Sequence, residues 1–288
     1  MSVIIDKDTK IIVQGITGHQ GRFHSGEMIK FGAKVVAGVT PGKGGMEVNG
    51  VPVYDTVEEA MVHEPEATMI SVPAPFVKDA AFEAMYHGIR VVYILTEKVP
   101  LHDALDIVTY ARSHGYVVIG PNGPGITIPG KTKMGIMPNH IFREGKVAVA
   151  SRSGTLTYEI VNALTLAGYG QSVVIGLGGD RITGLNFVDV LELFEKDEDT
   201  EAIVLVGEIG GTAEEEAAEY IKKNVSKPVV AYIAGRSAPP GKRMGHAGAI
   251  ITRGRGTAES KIKAFNEAGV PVAEFPWEIP DALKKVYK

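Results

Sequence analysis

The chain contains no cysteine. This absence excludes disulfide bonds, thiolate metal sites and cysteine nucleophiles, so any covalent chemistry must use histidine, serine, lysine or carboxylate side chains. No apolar run approaches the roughly 18 residues that a membrane-spanning helix requires, and the first residues, Met1-Ser2-Val3-Ile4, show no signal-peptide pattern. We therefore expect a cytoplasmic protein that does not interact with membranes.

An excess of positive charge is also lacking, since 30 basic residues face 34 acidic ones and the formal charge is −4. This balance argues against binding to nucleic acids, so an anionic ligand must be bound by local features. The chain is 288 residues long and 44% hydrophobic, which is enough to form two globular domains, each with its own core.

Short β-branched runs alternate with amphipathic helical patterns in two series. The first series extends from residues 11–14 to residues 116–119, and the second from 146–150 to 270–273. Strands that are apolar on both faces indicate buried parallel sheets with crossover helices. A stretch rich in Gly and Pro separates the series, so we predict two doubly wound α/β domains, residues 1–122 and 146–288, joined by a linker at 123–145.

A glycine-rich turn, Gly15-Ile16-Thr17-Gly18-His19-Gln20-Gly21, follows the first predicted strand and opens a helix. Such glycines let backbone amides approach a pyrophosphate at a helix N-terminus. The spacing differs from the dinucleotide fingerprint, so the turn alone is compatible with a dinucleotide, with another phosphate ligand, or with a tight turn that binds nothing.

The end of the second strand lacks the acidic residue that an NAD site uses for the ribose hydroxyls. It carries a glycine-rich loop at residues 39–45 with one lysine, Lys43. CoA has a pyrophosphate and a 3′-phosphate, which a glycine cradle and a lysine would complement, although NADP is also compatible with this loop. The loops at residues 72–75 and 95–98 follow two further strands and should meet at the same crevice.

His246 differs from the other seven histidines because small residues surround it in a glycine-rich loop at residues 241–249. A histidine that carries a phosphoryl group needs one free ring nitrogen and an acceptor at the other. Glu208, at the end of a predicted strand, is the best candidate for that acceptor. Ser151 and Ser153 precede a helix whose free amides could bind the phosphoryl group. Each of these features also has a purely structural interpretation as a solvated loop, an exposed acid or a helix cap.

Taken together, five segments make the sequence resemble the alpha subunits of succinyl-CoA synthetases over essentially the whole chain. They are residues 39–45, 72–75, 151–159, 207–211 and 241–249. The resemblance implies a Rossmann-like CoA-binding domain followed by a flavodoxin-like ligase domain. It implies that His246 is phosphorylated, that Glu208 orients it, and that Tyr158 lies in the substrate site. The phosphoryl group would be bound by Ser153, Gly154 and Thr155, and CoA by Thr17, Gly18, His19, Gln20, Lys43, Pro73, Thr96, Glu97 and Lys98.

The resemblance further implies a separate beta subunit with an ATP-grasp domain. That partner would bind ADP/ATP or GDP/GTP with Mg²⁺, whereas no metal site is expected on this chain. The implied reaction converts succinyl-CoA, a nucleoside diphosphate and phosphate reversibly into succinate, CoA and a nucleoside triphosphate.

Three alternatives stay open: a ligase for malate or acetate, an NADP-dependent oxidoreductase, and a noncatalytic CoA sensor. Two positions depart from the pattern expected of the family. Gly123 stands where we expect cysteine, and Arg181 stands where we expect proline. The second departure bears on the acyl substrate because it follows a strand end.

Overall fold

The computed structural model describes residues 4–239, 244–251 and 256–287. The chain divides into two compact units, one formed by Ser2–Asn139 and Ile182–Gly184, the other by His140–Arg181 and Leu185–Lys288. Each unit is built on a mainly parallel sheet with helices between its strands, which confirms the predicted α/β class. Within the described ranges, no helix combines the length and the apolar character needed to cross a membrane.

The sheet of the first unit has the strand order β3-β4-β2-β1-β5-β6-β7. Its strands are β1 (Lys10–Gln14), β2 (Lys34–Val39), β3 (Glu47–Val48), β4 (Val51–Tyr54), β5 (Ala67–Ile70), β6 (Val91–Ile94) and β7 (Val117–Ile119). All neighbouring strands are parallel except the short β3, which pairs antiparallel with β4. Without β3, the order corresponds to the 3-2-1-4-5-6 order of Rossmann domains.

Four α-helices belong to this unit: α1 (His19–Phe31), α2 (Val57–Ala60), α3 (Val77–Tyr86) and α4 (Leu101–His114). Apolar side chains of α2, α3 and α4 pack with the strands in one buried cluster, which includes Val57, Ala81, Ile107 and Ile70. Gln14 at the end of β1 is in register with Val39 of β2 and Ile70 of β5. The loops that follow these three strands therefore leave the sheet at the same edge.

The segment rich in Gly and Pro contains an antiparallel pair that the sequence analysis does not predict, β8 (Gly125–Ile128) and β9 (Thr132–Gly135). Lys133 of β9 is almost fully buried, and its Nζ donates to Met137 O at 2.5 Å and Asn139 Oδ1 at 2.7 Å. Asn139 Nδ2 in turn donates to Glu27 O of α1 at 3.0 Å. A buried lysine and neighbouring glycines conceal these strands from a search for apolar runs.

The sheet strands of the second unit are ordered β14-β13-β12-β10-β11 and are all parallel. They are β10 (Glu144–Ser151), β11 (Gln171–Gly176), β12 (Ala202–Glu208), β13 (Val229–Ala234) and β14 (Val272–Ala273). Counted along the unit, this is the 2-1-3-4-5 order of flavodoxin-like folds. The predicted arrangement of this domain is confirmed.

The α-helices of this unit are α5 (Gly154–Leu166), α6 (Phe187–Lys196), α7 (Ala213–Asn224), α8 (Ala258–Glu267) and α9 (Ile279–Val286). Ser151, the last residue of β10, pairs with Val206, and Glu208, the last residue of β12, pairs with Ala234. The loops after β10, β12 and β13 consequently begin at one edge of the sheet, where ligands bind in open α/β folds.

Candidate functional site

His246 lies in the loop between β13 and α8, and its ring contacts the carboxylate at the end of β12. Nδ1 is 2.8 Å from Glu208 Oε2 and 3.0 Å from Glu208 Oε1. The Glu208 side chain is buried, whereas that of His246 is 27% exposed. Residues 241–243 of the predicted glycine loop lie outside the described residues. The structure thus brings together the two residues that the sequence analysis pairs.

A carboxylate next to Nδ1 fixes the protonation pattern of the imidazole. Because Glu208 can only accept, Nδ1 carries a proton and the neutral ring keeps its lone pair on Nε2. The hydrogen bond to Glu208 raises the pKa of His246 above its ordinary value, an effect that burial opposes but does not cancel. The site therefore holds a partly exposed imidazole whose reactive nitrogen is Nε2.

The loop after β11 packs against the face of this ring. A Cβ at Gly179 would lie 2.3 Å from His246 Cγ, so only glycine fits beneath the imidazole in this position. Gly248 N donates to Gly179 O at 3.1 Å, and Arg181 Nε donates to Ala247 O at 3.3 Å. The arginine that departs from the expected family pattern is thereby hydrogen bonded to the residue that follows His246.

Arg152, to which the sequence analysis assigns no role, lies between two carboxylates. Its Nη2 is 3.5 Å from Glu208 Oε1, and its Nη1 is 3.0 Å from Glu214 Oε1 and 3.1 Å from Gly210 O. Burial disfavours the guanidinium charge, but Glu214 and Glu208 outweigh it and raise the pKa of Arg152. The carboxylate that orients His246 is therefore paired with a permanent cation.

Glu214 and Lys261 extend this network into the protein, and neither was found from the sequence. Both side chains are fully buried, and Lys261 Nζ donates to Glu214 Oε2. Thr212 and Glu215 have the spacing of a capping box, but the Thr212 side chain does not cap α7 and Glu215 accepts from Ser260 Oγ at 2.8 Å. The sequence does contain a signal for both residues. Glu214 occupies a position in the apolar stripe of α7, and Lys261 occupies one in the apolar stripe of α8.

The N-terminus of α5 follows Arg152 directly. Ser153 is the N-cap, and its Oγ accepts from Leu156 N at 3.4 Å. Gly154 and Thr155 are the first two helical residues, so their amides belong to the four donors that a helix leaves without intrahelical partners. Tyr158 lies one turn further along, and burial raises the pKa of its hydroxyl to about 12. This helix end could bind a phosphoryl group through its amides and dipole.

The first unit contains a cavity of about 600 Å³ at the carboxyl ends of its central strands. Its lining includes three predicted contact residues, Thr17, Gly18 and Pro73, together with the apolar side chains of Val72 and Phe76. Gly18 caps α1 without a side-chain hydrogen bond, which leaves the amides of the first turn available to a ligand. The volume lies within the usual range of small-molecule sites.

The glycine turn beside the cavity also has a packing role. Gly15 has a φ of +82°, and a Cβ there would lie 2.4 Å from Ser71 O. A Cβ on Gly21 would lie 2.2 Å from Gly15 O, so this glycine allows α1 to approach the turn. Gly15 and Gly18 both line the cavity, whereas Gly21 is not part of its lining.

Six other predicted contacts do not line this cavity. His19 and Gln20 are exposed at the start of α1, and Gln20 Oε1 is 2.9 Å from His24 Nε2. Lys43 is exposed, and its backbone N–H donates to Asp55 Oδ1 at 2.9 Å.

The remaining three follow β6. Thr96 Oγ1 donates to Val72 O at 2.6 Å and so connects two loops at the sheet edge. Glu97 and Lys98 form an exposed ion pair of 3.1 Å. None of the three is part of the cavity lining, although Thr96 contacts Val72, which is.

Comparison with protein-family models gives two matches. Residues 6–98 match the CoA binding domain, and residues 150–271 match the CoA-ligase domain. A succinate–CoA ligase [ADP-forming] alpha subunit of Archaeoglobus fulgidus is 57% identical over 99% of this chain and 100% of its own length. The chain belongs to the succinate–CoA ligase alpha-subunit family. The alpha subunit of Aquifex aeolicus is 53% identical over 100% of this chain and 95% of its own length.

A solved structure shares the fold of this chain over nearly its whole length. An ATP citrate lyase of Methanothrix soehngenii in complex with citrate and coenzyme A superposes with a TM-score of 0.90 at 26% identity. The match covers 98% of this chain, which spans half the length of that lyase chain. The family match favours CoA over NADP for the first unit, since the glycine turn lies within the segment that matches the CoA binding domain.

Proposed function

We propose that the chain is the alpha subunit of a succinate–CoA ligase and that His246 carries the phosphoryl group during the reaction. The observation that carries this proposal is the pair of contacts between His246 Nδ1 and the two Glu208 oxygens. They leave Nε2 as the nucleophile of a histidine that small residues surround. The names of the relatives favour ADP over GDP as the phosphoryl acceptor.

The reaction proceeds in three reversible displacements. A phosphate oxygen attacks the thioester carbon of succinyl-CoA, the C–S bond breaks, and CoA leaves as succinyl phosphate forms. Nε2 of His246 then attacks phosphorus, the P–O bond to the acyl group breaks, and succinate departs. An oxygen of the nucleoside diphosphate finally takes the phosphoryl group from Nε2. Each step conserves the energy of the thioester in another reactive bond.

This chain contributes the nucleophile and the charges around it. Glu208 stabilises the cation that develops on the imidazole, and Arg152 forms an ion pair with Glu208. The amides of Gly154 and Thr155, behind the Ser153 cap, are assigned to phosphoryl binding. Tyr158 is assigned to the substrate site, where its protonated hydroxyl can donate to a carboxylate.

The first unit is proposed to hold CoA. The cavity beside Thr17 and Gly18 suits an adenine nucleotide, with the pyrophosphate at the start of α1. Exposed Lys43, on the neighbouring loop, is assigned to the 3′-phosphate. The alpha-subunit names of the relatives imply a partner subunit, to which we assign an ATP-grasp domain, the nucleotide and Mg²⁺.

An assay of the co-purified complex with ATP, CoA and a panel of carboxylic acids tests the activity. We expect ADP formation that requires both CoA and succinate and that is at least about tenfold slower with acetate, because acetate lacks the second carboxylate and a charged contact that is lost costs more than about 1.4 kcal/mol. We expect malate and citrate to be slower too, because malate adds a hydroxyl group, and citrate also a third carboxylate, for which a site built for succinate has no partner. GTP in place of ATP reports on the nucleotide. Turnover with one of the other acids but not with succinate would contradict the substrate assignment.

A methyl group at position 179 should interfere with the nucleophile without touching its chemistry. In Gly179→Ala, the added Cβ would lie 2.3 Å from His246 Cγ, so the ring must move away from Glu208. We expect the rate of His246 phosphorylation to fall about 100-fold, as an ångström of misplacement does in other active sites. Gly26→Ala is the matched control, because its Cβ meets only the end of the Asn49 side chain. Equal labelling rates in the two variants would show that the ring position is not critical.

A further inference from the structure

Two fully buried charges have no part in the mechanism described above. Glu214 lies at the start of α7 and Lys261 lies in the first turn of α8, and the exposed fraction of each side chain is 0%. Hydrophobic residues of similar volume would pack these positions as well or better, because taking a lysine and a glutamate out of water is costly. Stability therefore does not explain why these two buried residues are charged.

Lys261 holds the turn on which Glu208 depends. Its Nζ donates to Gly210 O at 3.1 Å, to Gly211 O at 3.2 Å and to Glu214 Oε2. Gly210 N donates to Gly256 O at 2.8 Å, just before α8 begins. Lys261 thus ties α8 to the turn that follows Glu208 in the chain.

The other carboxylate oxygen of Glu214, Oε1, contacts Glu208 and Arg152. Glu214 Oε1 accepts from Glu208 N at 3.1 Å and from Arg152 Nη1 at 3.0 Å. Arg152 Nη2 is 3.5 Å from Glu208 Oε1, and Glu208 binds His246. Two routes connect Lys261 to Glu208, one through the backbone amide and one through the guanidinium.

The network contains three carboxylates and two cations. Glu208, Glu214 and Glu215 face the two cations Arg152 and Lys261, with Lys261 Nζ 3.4 Å from Glu215 Oε2. Without Lys261, Arg152 would be the cation left for Glu214 among the described residues, and the guanidinium would be drawn away from Glu208. Glu208 would then interact more strongly with the imidazolium and would lose part of its fixed orientation.

We propose that Lys261 is a positioning residue for the phosphohistidine, acting through Glu214 and Arg152 to set the orientation and the charge balance of Glu208. This inference rests on the proposed function of His246. Lys261 touches neither the substrate nor the imidazole. Its role is to keep Arg152 shared between two carboxylates.

The test compares Lys261→Met with Lys263→Met in the complex co-purified with the partner subunit. Lys263 lies on the same helix, but it is 76% exposed and makes only a 3.8 Å pair with Glu267. At pH 7 we expect Lys261→Met to slow single-turnover labelling by radiolabelled ATP about 10- to 100-fold, the range for removal of an outer partner of a functional group. Lys263→Met should label at the unmodified rate.

A pH profile of labelling between pH 5.5 and 9 separates positioning from a general loss of structure. Glu208, Arg152, Asp180 and Arg181 are the charged groups around the His246 loop that the structure describes. Because the neutral ring is the nucleophile, a raised His246 pKa moves the inflection of the profile to higher pH. Lys261→Met should shift it upwards, and Glu214→Gln, which removes a negative charge, should shift it downwards.

Opposite shifts of the two inflections support the proposal, since general loosening of the loop would not give opposite signs. Unshifted inflections in both variants overturn it, and so does a Lys261→Met rate equal to that of Lys263→Met. Glu214→Gln keeps the acceptor oxygen for Glu208 N, so it can be tested even if Lys261→Met does not fold. In that case a downward shift of its inflection supports the proposal, and an unshifted inflection overturns it. If the unmodified complex shows no labelling at all, the proposed function fails rather than the assignment of Lys261.

Discussion

Replacing His246 with alanine is expected to abolish the transfer of label from radiolabelled ATP to this chain in the assembled complex. The chain has no cysteine, and the imidazole beside Glu208 is the nucleophile to which the geometry points. Removing a covalent acceptor leaves no route for the phosphoryl group, so the loss should be complete rather than partial. Succinate-dependent ADP formation should be lost in the same preparation.

His102→Ala is the matched control for this experiment. His102 is exposed on α4 of the first unit, and its loss should leave labelling unchanged. Because a phosphoramidate bond is broken by acid and survives alkali, the label on the unmodified chain should show that pattern. Undiminished labelling of His246→Ala would remove the assignment of the carrier residue, whatever the overall activity.

The fold could be predicted because most of its strands are buried on both faces. β1, β5 and β6 lie in the middle of a parallel sheet, where continuous apolar runs are required and easily recognised. The two-residue β3 and the β8–β9 pair could not be found in this way. β3 consists only of Glu47 and Val48, and β8 and β9 are four-residue strands with glycine at one end and threonine or lysine inside. Both form hairpins with a neighbouring strand, so the available signal was a short turn rather than an apolar run.

The contact between Glu208 and His246 could be predicted for a related reason. Glu208 ends a strand and His246 follows the next strand, so the parallel sheet alone places both at one edge. The network of Arg152, Glu214 and Lys261 could not be predicted, because it depends on burial, which a single sequence does not reveal. The available signal was a charged residue on the apolar face of an amphipathic helix, as at Glu214 and Lys261. Because such residues are almost never fully buried unless they are paired, this position indicates a buried ion pair.

For the proposed cofactor site, by contrast, the sequence motif indicates the location but not the role of each residue. The glycine turn lies beside the cavity, where Gly15 and Gly18 are part of the lining, whereas Gly21 serves the packing of α1. A glycine motif in the sequence does not distinguish these two roles, because both require the absence of a side chain. The contacts assigned to Lys43, Glu97 and Lys98 stay predictions, since these exposed side chains would need a bound ligand to order them.

Glu208→Gln should slow phosphorylation of His246 by about two to four orders of magnitude, the span expected when an electrostatic or acid–base group is lost. The amide oxygen can still accept from Nδ1, so the ring keeps a partner and its tautomer. What disappears is the charge that stabilises the imidazolium and balances Arg152. The variant therefore separates orientation, which it preserves, from charge, which it removes.

The pH dependence of this variant follows from the same contact. Glu208 raises the pKa of His246 above its ordinary value, so labelling by the unmodified chain should increase as pH rises through that elevated pKa. In Glu208→Gln the inflection should move to lower pH, and the rate deficit should be present on the alkaline plateau, where the ring is neutral in both proteins. Equal rates on the alkaline plateau, with Glu208→Gln faster than the unmodified chain at acidic pH, would mean that Glu208 acts only on ring protonation. A plateau rate within about threefold of the unmodified chain, under about 1 kcal/mol, would mean that its charge contributes nothing to the transition state.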